Sequence, residues 1–293
     1  MKIIVLGATG VFGQLLVHEL RGAEVIPASR ATGTDMRDPD SIARLARGAF
    51  AVLCAAGPFQ SFDPQSVRAA ISEGAHWLDI SDDPHWFFAL LDDAELDVLA
   101  RSKHVAVVPG LSSLPAISCA LVRTLGARTS RPQSPGETRV TITLGIGNRN
   151  AKGAGSIASA MTGDGRTILT PDRELLRREG IDARTFVKFQ LPGAALLFKL
   201  AKMLHLKPET LSRISAPFSR AGSDASYVEV VSDNGTMRVD ARGQRLAILP
   251  IAILANRLID GLTLEGVLPP HEAIADLLDA LTNAACVVAS TAS

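Results

Sequence analysis

Lys2 Ile3 Ile4 Val5 Leu6 Gly7 Ala8 Thr9 Gly10 Val11 Phe12 Gly13 is the stretch whose reading decides the fold. Four consecutive apolar residues after Lys2 read as a strand buried on both faces, and the glycines follow without a spacer. A buried strand that ends in a glycine-rich turn lets phosphate oxygens approach free backbone N–H groups at the start of the next helix. Gly7 suits the tight turn, Gly10 leaves room for a pyrophosphate, and Gly13 lets a helix over Val11–Leu20 pack close to the sheet. The spacing is G-x-x-G-x-x-G, a variant of the commoner dinucleotide fingerprint. The competing reading of the motif alone is a strand-to-helix turn that binds nothing.

The next strand falls over Glu24–Arg30, where the fold brings a strand end beneath the adenosine ribose. An acidic residue there would accept from both ribose hydroxyls of NAD, but this chain has Ser29 and Arg30. A guanidinium pairs with a 2′-phosphate through its planar fork, so the position points to NADP, with a solvated loop charge as the alternative. Arg37 is a second cation in reach of that reading.

Further strands are expected near Gly33–Met36, over Ala49–Ala56, Ala75–Ile80 and Val105–Val108, with helices over Pro39–Arg47, Pro64–Ser72 and Pro84–Arg101. This alternation implies a doubly wound, mainly parallel α/β sheet with right-handed crossovers. Ala56 Gly57 Pro58 Phe59 leaves the Ala49–Ala56 strand and offers a floor of small residues beside the cofactor. After Pro115 the pattern changes. Thr138–Ile146 alternates polar and apolar residues, and Arg184–Leu191, Arg213–Phe218, Ala225–Ser232 and Thr236–Ala241 are further strand candidates. A second, mixed α/β domain is therefore expected. The boundaries are a dinucleotide domain over 1–120, a substrate and dimerisation domain over 121–265, and a C-terminal helical segment over 266–293 that returns to the first domain. Ile248–Leu258 reads as a helix broken near Pro250, and Pro270–Ala284 as the last helix.

At 293 residues, with 47% apolar and 20% charged residues and a formal net charge of zero, the chain can form two cores and has no electrostatic footprint for nucleic acid. Its longest late apolar run, Leu246–Leu254, contains Pro250 and is too short to span a bilayer. No signal-peptide pattern is read before the first strand, and Cys54, Cys119 and Cys286 lack metal-ligand spacing. The expectation is a cytoplasmic protein with no metal.

Asp79 Ile80 Ser81 Asp82 Asp83 Pro84 His85 Trp86 collects carboxylates and an imidazole at a strand's carboxyl end. Asp79, Asp82 and His85 are the candidates for moving a proton beside the nicotinamide. Asp82 and Asp83 read equally well as N-caps of the Pro84 helix, and His76 and His85 as structural histidines. Asp79 interrupts an apolar strand, so it requires hydrogen-bond partners. Gly153 Ala154 Gly155 Ser156 precedes a small, apolar helix pattern, and Gly155 and Ser156 are the candidate seat for a substrate carboxylate, or else an ordinary capped loop. The tyrosine-plus-lysine relay of short-chain dehydrogenases is disfavoured, because Tyr227 is the single tyrosine and Val231 stands four positions later. A metalloprotease His-Glu-x-x-His, a P-loop and a G-x-S-x-G elbow are absent as well.

The chain resembles the saccharopine dehydrogenase family. The resemblance rests on Gly7–Gly13, Ala55 Ala56 Gly57 Pro58 Phe59, His76 Trp77 Leu78 Asp79 Ile80 Ser81 and Pro109 Gly110 Leu111 Ser112 Ser113 Leu114 Pro115, with looser matches at Gly153–Ala160 and Gly266–Pro270. Related enzymes commonly carry an aromatic-Asp pair after the glycine and histidine, where this chain has Trp77, Leu78 and Asp79. The resemblance implies a Rossmann-like domain, a mixed α/β domain that contributes to a homodimer, NADP as cofactor, and hydride transfer to a small-molecule substrate. Imine or amino-acid, carbonyl and enoyl substrates all remain open. The competing class is a cofactor-binding sensor or interaction protein without hydride chemistry.

Overall fold

The computed structural model describes residues 1–127, 139–147, 149–150, 168–189, 203 and 223–291. The described chain divides into two compact units, Met1–Ser112 with Ala247–Ala275, and Ser113–Leu246 with Asp276–Ser293. The sequence pattern puts the boundaries at 120 and 265, whereas the chain passes between the units after Ser112, Leu246 and Ala275.

The first unit is a six-stranded parallel sheet. Its strands are β1 (Lys2–Leu6), β2 (Glu24–Ala28), β3 (Ala51–Cys54), β4 (His76–Asp79), β5 (Ala106–Val108) and β10 (Gly266–Val267), in the order β10-β5-β4-β3-β1-β2. Helices α1 (Val11–Glu19), α2 (Pro39–Ala46), α3 (Gln65–Ser72), α4 (Pro84–Leu91) and α5 (Ala94–Ser102) connect the strands. Ile3, Ile4 and Val5 are wholly buried, as a strand covered on both faces requires, and each such side chain contributes roughly 2 kcal/mol. The chain runs outward from β1 to β2 and then crosses to β3 on the other side of β1. That reversal opens a crevice at the carboxyl ends of β1 and β3, the usual ligand position in such sheets.

Several sequence expectations are corrected. No strand forms at Gly33–Met36, because Gly33 turns with φ +82° and the Thr34 N–H goes back to the Ser29 carbonyl at 3.0 Å. Pro84–Arg101 is two helices, since the Asp93 carboxylate accepts from Leu96 N at 3.0 Å and starts α5 afresh. Pro250 does not break its helix. It lies in the first turn of α8 (Leu249–Ile259), where a missing N–H removes no intrahelical bond. The last helical stretch likewise divides into α9 (Pro270–Ala273) and α10 (Leu277–Asn283). Asn256 on α8 donates to Glu19 O and accepts from Arg21 N, both at 3.0 Å, tying the returning segment to the end of α1.

Among the described residues the second unit holds a five-stranded mixed sheet: β6 (Arg139–Ile146), β7 (Asp182–Phe189), β8 (Ala225–Ser232), β9 (Gly235–Arg242) and β11 (Val287–Thr291), in the order β11-β9-β8-β6-β7. Only β6 and β7 pair in parallel. Val140, Ile142, Val228, Val230, Met237 and Val239 alternate onto the buried face, with α6 (Ser118–Ala127) packed on β8 and β9. On the other face Gly145 is required, since a Cβ there would lie 2.0 Å from the Tyr227 ring. Arg238 lies 3.7 Å over that ring and is held by Asp240 at 2.6 Å. Asp172, in the first turn of α7 (Pro171–Arg178), is wholly buried and accepts from the Thr170 hydroxyl and from Thr185 at 3.2 Å; burial raises its pKa. The candidate strand at Arg213–Phe218 lies outside the described residues.

His76 ties the start of β4 to β5, with Nδ1 accepting from Ala106 N at 2.9 Å and the ring 5.0 Å from Phe50. Burial lowers its pKa from 6.5 to about 4. Between those values the unfolded chain binds more protons than the folded one, so the stabilisation is complete above pH 6.5 and lost as pH falls toward 4. The loss reaches about 3 kcal/mol. His76→Gln keeps an acceptor and cannot titrate; urea unfolding at pH 7, 5.5 and 4.5 should show a smaller decline for it than for wild type. Identical declines would mean that His76 is not the group responsible.

Candidate active site

The glycine turn after β1 is shaped by backbone, not by side chains. Gly7 has φ +77°, and a Cβ on it would stand 2.7 Å from Ala56 N; on Gly13 it would stand 2.1 Å from Gly7 O. The first contact locks the turn against the loop leaving β3, and the second lets α1 begin directly over the turn. Gly7 N and Ala8 N donate to Ala28 O at 2.8 and 3.3 Å, and Gly10 N to Gly7 O at 2.9 Å, while Gln14 N closes the first helical bond on Gly10 O at 3.0 Å. The N–H groups of Val11, Phe12 and Gly13 open the helix, and Gly10 supplies no side-chain cap. The first turn has no acidic residue either, so the helix's own first turn leaves the positive end of its dipole uncompensated. Thr9 and Gly10 are exposed beside it.

The loop after β3 carries Ala56, Gly57, Pro58 and Phe59. Gly57 is exposed, whereas Phe59 is buried against Trp86 at 5.7 Å and Phe62 at 6.0 Å. The Gly7 turn and this loop therefore meet along their backbones at the switch point. At the end of β2, Ser29 holds its own turn through Thr32, whose Oγ1 accepts from Ser29 N at 2.8 Å. The Ser29 hydroxyl is buried and has no hydrogen-bond partner. Arg30 is exposed and forms no ion pair among the described residues, although its charge helps to lower the pKa of Asp35. Arg37 is different: it grips Asp35 with contacts of 2.6 and 3.0 Å, and that hydrogen bond is the main cause of Asp35 falling to about 2.

Asp79 ends β4 with no exposed surface. Its Oδ2 accepts from Trp77 Nε1 at 3.1 Å and Trp86 Nε1 at 2.9 Å, and its Oδ1 from Ser81 N at 2.9 Å and Gly110 N at 3.0 Å. Leu111 N donates to the Asp79 carbonyl at 2.7 Å. Four donors on one carboxylate satisfy the partner requirement read from the sequence. They also occupy the lone-pair directions of that carboxylate. Asp83 is the N-cap of α4, accepting from Trp86 N at 2.9 Å. Asp82 is half-buried and His85 exposed on the first turn of α4. Beside Asp79 the Cys54 thiol is buried, and burial pushes its pKa up. Gly155 and Ser156 lie outside the described residues.

Sequence reading missed the tryptophans. The chain has two, and both indole N–H groups end on Asp79. Their positions two before and seven after an aspartate inside an apolar strand were the available signal. Asp79→Asn puts an amide N–H₂ against N–H donors and should cost about 3 kcal/mol, and Trp86→Phe about 2 kcal/mol. In urea unfolding the two losses should be clearly non-additive; additive losses, or a wild-type midpoint for Asp79→Asn, would remove this network from the account.

In sequence, no protein-family model matches the chain, and no curated protein is found similar to it. In structure it is similar to saccharopine dehydrogenase (L-Glu forming) from Saccharomyces cerevisiae, in its apo form, with a TM-score of 0.58 at 11% identity over 99% of this chain and 100% of that one. It is also similar to an amine dehydrogenase from Mycobacterium smegmatis, with a TM-score of 0.54 at 9% identity over 92% and 94% of the two chains. The shared property is the fold: a doubly wound parallel sheet joined to a second, mixed α/β sheet, as in these two dehydrogenases.

Proposed function

We propose that this protein is an NADP-dependent oxidoreductase of the saccharopine dehydrogenase-like type. It would transfer a hydride between the nicotinamide and a small organic substrate: an imine or amino acid, a carbonyl or an enoyl compound. The observation that carries the reading is the glycine cradle. Backbone occupies the places where Cβ atoms of Gly7 and Gly13 would lie, and the cradle opens on a helix start with neither cap nor acid. Such a start favours a bound anion by about 1 kcal/mol from its dipole, besides the N–H bonds it donates. Likeness in fold to two dehydrogenases supports the same reading.

The residues then have distinct tasks. Thr9, Val11, Phe12 and Gly13 present backbone N–H groups to the pyrophosphate, Gly10 leaves room for it, and the Ala56–Phe59 loop walls the crevice on the β3 side. Ser29 and the Arg30 guanidinium, which forms no ion pair among the described residues, receive the 2′-phosphate, with Arg37 spent on Asp35. The cofactor supplies the hydride chemistry itself. Asp79 sets the position of Trp86 and the loop after β5, while Asp82 and His85 hold the proton. Gly155 and Ser156 seat a substrate carboxylate. Buried thiols at Cys54, Cys119 and Cys286 suit a reducing compartment such as the cytoplasm.

Titration with NADPH, followed by nicotinamide fluorescence, tests the reading directly: saturable one-to-one binding is expected, and no saturation at millimolar cofactor would reject it. Arg30→Ala should weaken NADPH at least tenfold, the equivalent of about 1.4 kcal/mol, with little change for NADH. Equal losses for both would remove the 2′-phosphate role. A second reading, a cofactor-binding sensor, is favoured by the full engagement of Asp79. Tight NADPH binding with no oxidation across imines, ketones and enoyl compounds would select it.

A further inference from the structure

Two arginines stand in the segment between β2 and α2, and the chain treats them differently. The segment folds back on the end of β2, with Thr32 N and Thr34 N both donating to Ser29 O at 3.0 Å and Gly33 N to Arg30 O at 3.2 Å. Its second half is fixed as well: Ser66 Oγ on α3 donates to Met36 O at 2.5 Å, and Asp38 N to Asp35 O at 3.1 Å. Asp35 and Arg37 flank that anchored methionine and form a closed pair. Arg37 Nε and Nη2 donate to Asp35 Oδ1 and Oδ2 at 3.0 and 2.6 Å, and Arg37 N adds a third bond to Oδ1 at 3.0 Å. Such a bidentate pair occupies the planar fork with which a guanidinium grips a phosphate. Arg30, where the turn begins, forms no ion pair among the described residues, yet its charge is felt at the Asp35 carboxylate.

We propose that Asp35 is a positioning residue for cofactor choice: it holds the Arg37 guanidinium in an internal ion pair and so keeps a second cation off the 2′-phosphate that Arg30 receives. The inference rests on the NADP reading above and adds to it what limits the discrimination. Within the pair the charges of Asp35 and Arg37 cancel, and Arg30 alone gives residues 29–37 their net positive charge. Losing the carboxylate acts twice in the same direction. The local charge rises by one unit, and the freed fork adds a charge-assisted contact to the phosphate. The Arg37 side chain is 58% exposed, so it can turn without breaking a packed core. NADH has no phosphate at that place, and neither change bears on its affinity. The Arg37 hydrogen bond is the main reason that the Asp35 pKa lies at about 2, so the pair stays closed at any ordinary assay pH.

Fluorescence titrations of the full chain with NADPH and NADH, at a pH of about 8 where a phosphomonoester carries close to two charges, test this in wild type and Asp35→Asn. The amide keeps an oxygen for the Arg37 N–H, so the turn should survive with an unchanged circular dichroism spectrum. Asp35→Asn should tighten NADPH about three- to fivefold, the effect of one added exposed charge contact, and leave NADH unchanged. The gain should shrink as salt is raised and disappear in Asp35→Asn/Arg37→Ala. A variant that binds NADPH no tighter than wild type would overturn the proposal, as would an equal change for both cofactors or a gain that persists without Arg37. A wild-type chain that binds neither cofactor would instead remove the NADP reading, and this inference with it. Should Asp35→Asn fail to fold, Asp35→Ser carries the same comparison.

Discussion

A carboxylate without any solvent contact is costly to bury, and the first unit meets that cost at Asp79 with two indole and two backbone N–H groups. The donors come from β4 itself, the loop after it, the second residue beyond Pro84, and the loop after β5. These pieces are consequently held to a common point and cannot shift independently. Trp86 passes the constraint on, because its ring also packs against Phe59 and Phe62. The loop that walls the crevice beside the glycine turn thus rests on a charge buried one strand away.

The glycine turn meets the same loop without side chains. Backbone atoms of Ala55 and Ala56 lie where a Gly7 side chain would be, and Gly7 and Ala8 lie where a Gly13 side chain would be. Close approach at both places leaves the start of α1 facing the crevice. Electrostatics at the end of β2 sorts two arginines into different tasks: Arg37 is engaged by Asp35, while Arg30 has no ion-pair partner among the described residues.

In the second unit, shape at one face of the sheet again depends on a glycine, with Tyr227 seated over Gly145 and Arg238 stacked on the ring. That face is closed by its own side chains around Tyr227. At the β11 edge no strand pairs with the outer side among the described residues.

Strand β1, the glycine turn and the start of α1 are legible in the sequence because glycine stereochemistry and apolar runs are local properties. The same holds for the Asp38 and Asp83 caps, which need only a carboxylate just before a helix. Local pattern misleads where a neighbour takes the backbone bond: Thr34 goes to Ser29 and closes a turn in place of a strand, and Asp93 interrupts an apparently continuous helix. That Asp79 must be partnered follows from its place in an apolar strand. Which groups partner it does not, since Trp86 and Gly110 reach it only once β3, β4 and β5 lie side by side. Sequence by itself therefore determined most of the elements and the glycine turn after β1, through backbone sterics and burial period. Tertiary structure alone decided strand order and the company around Asp79, because those depend on contacts between residues far apart in the chain.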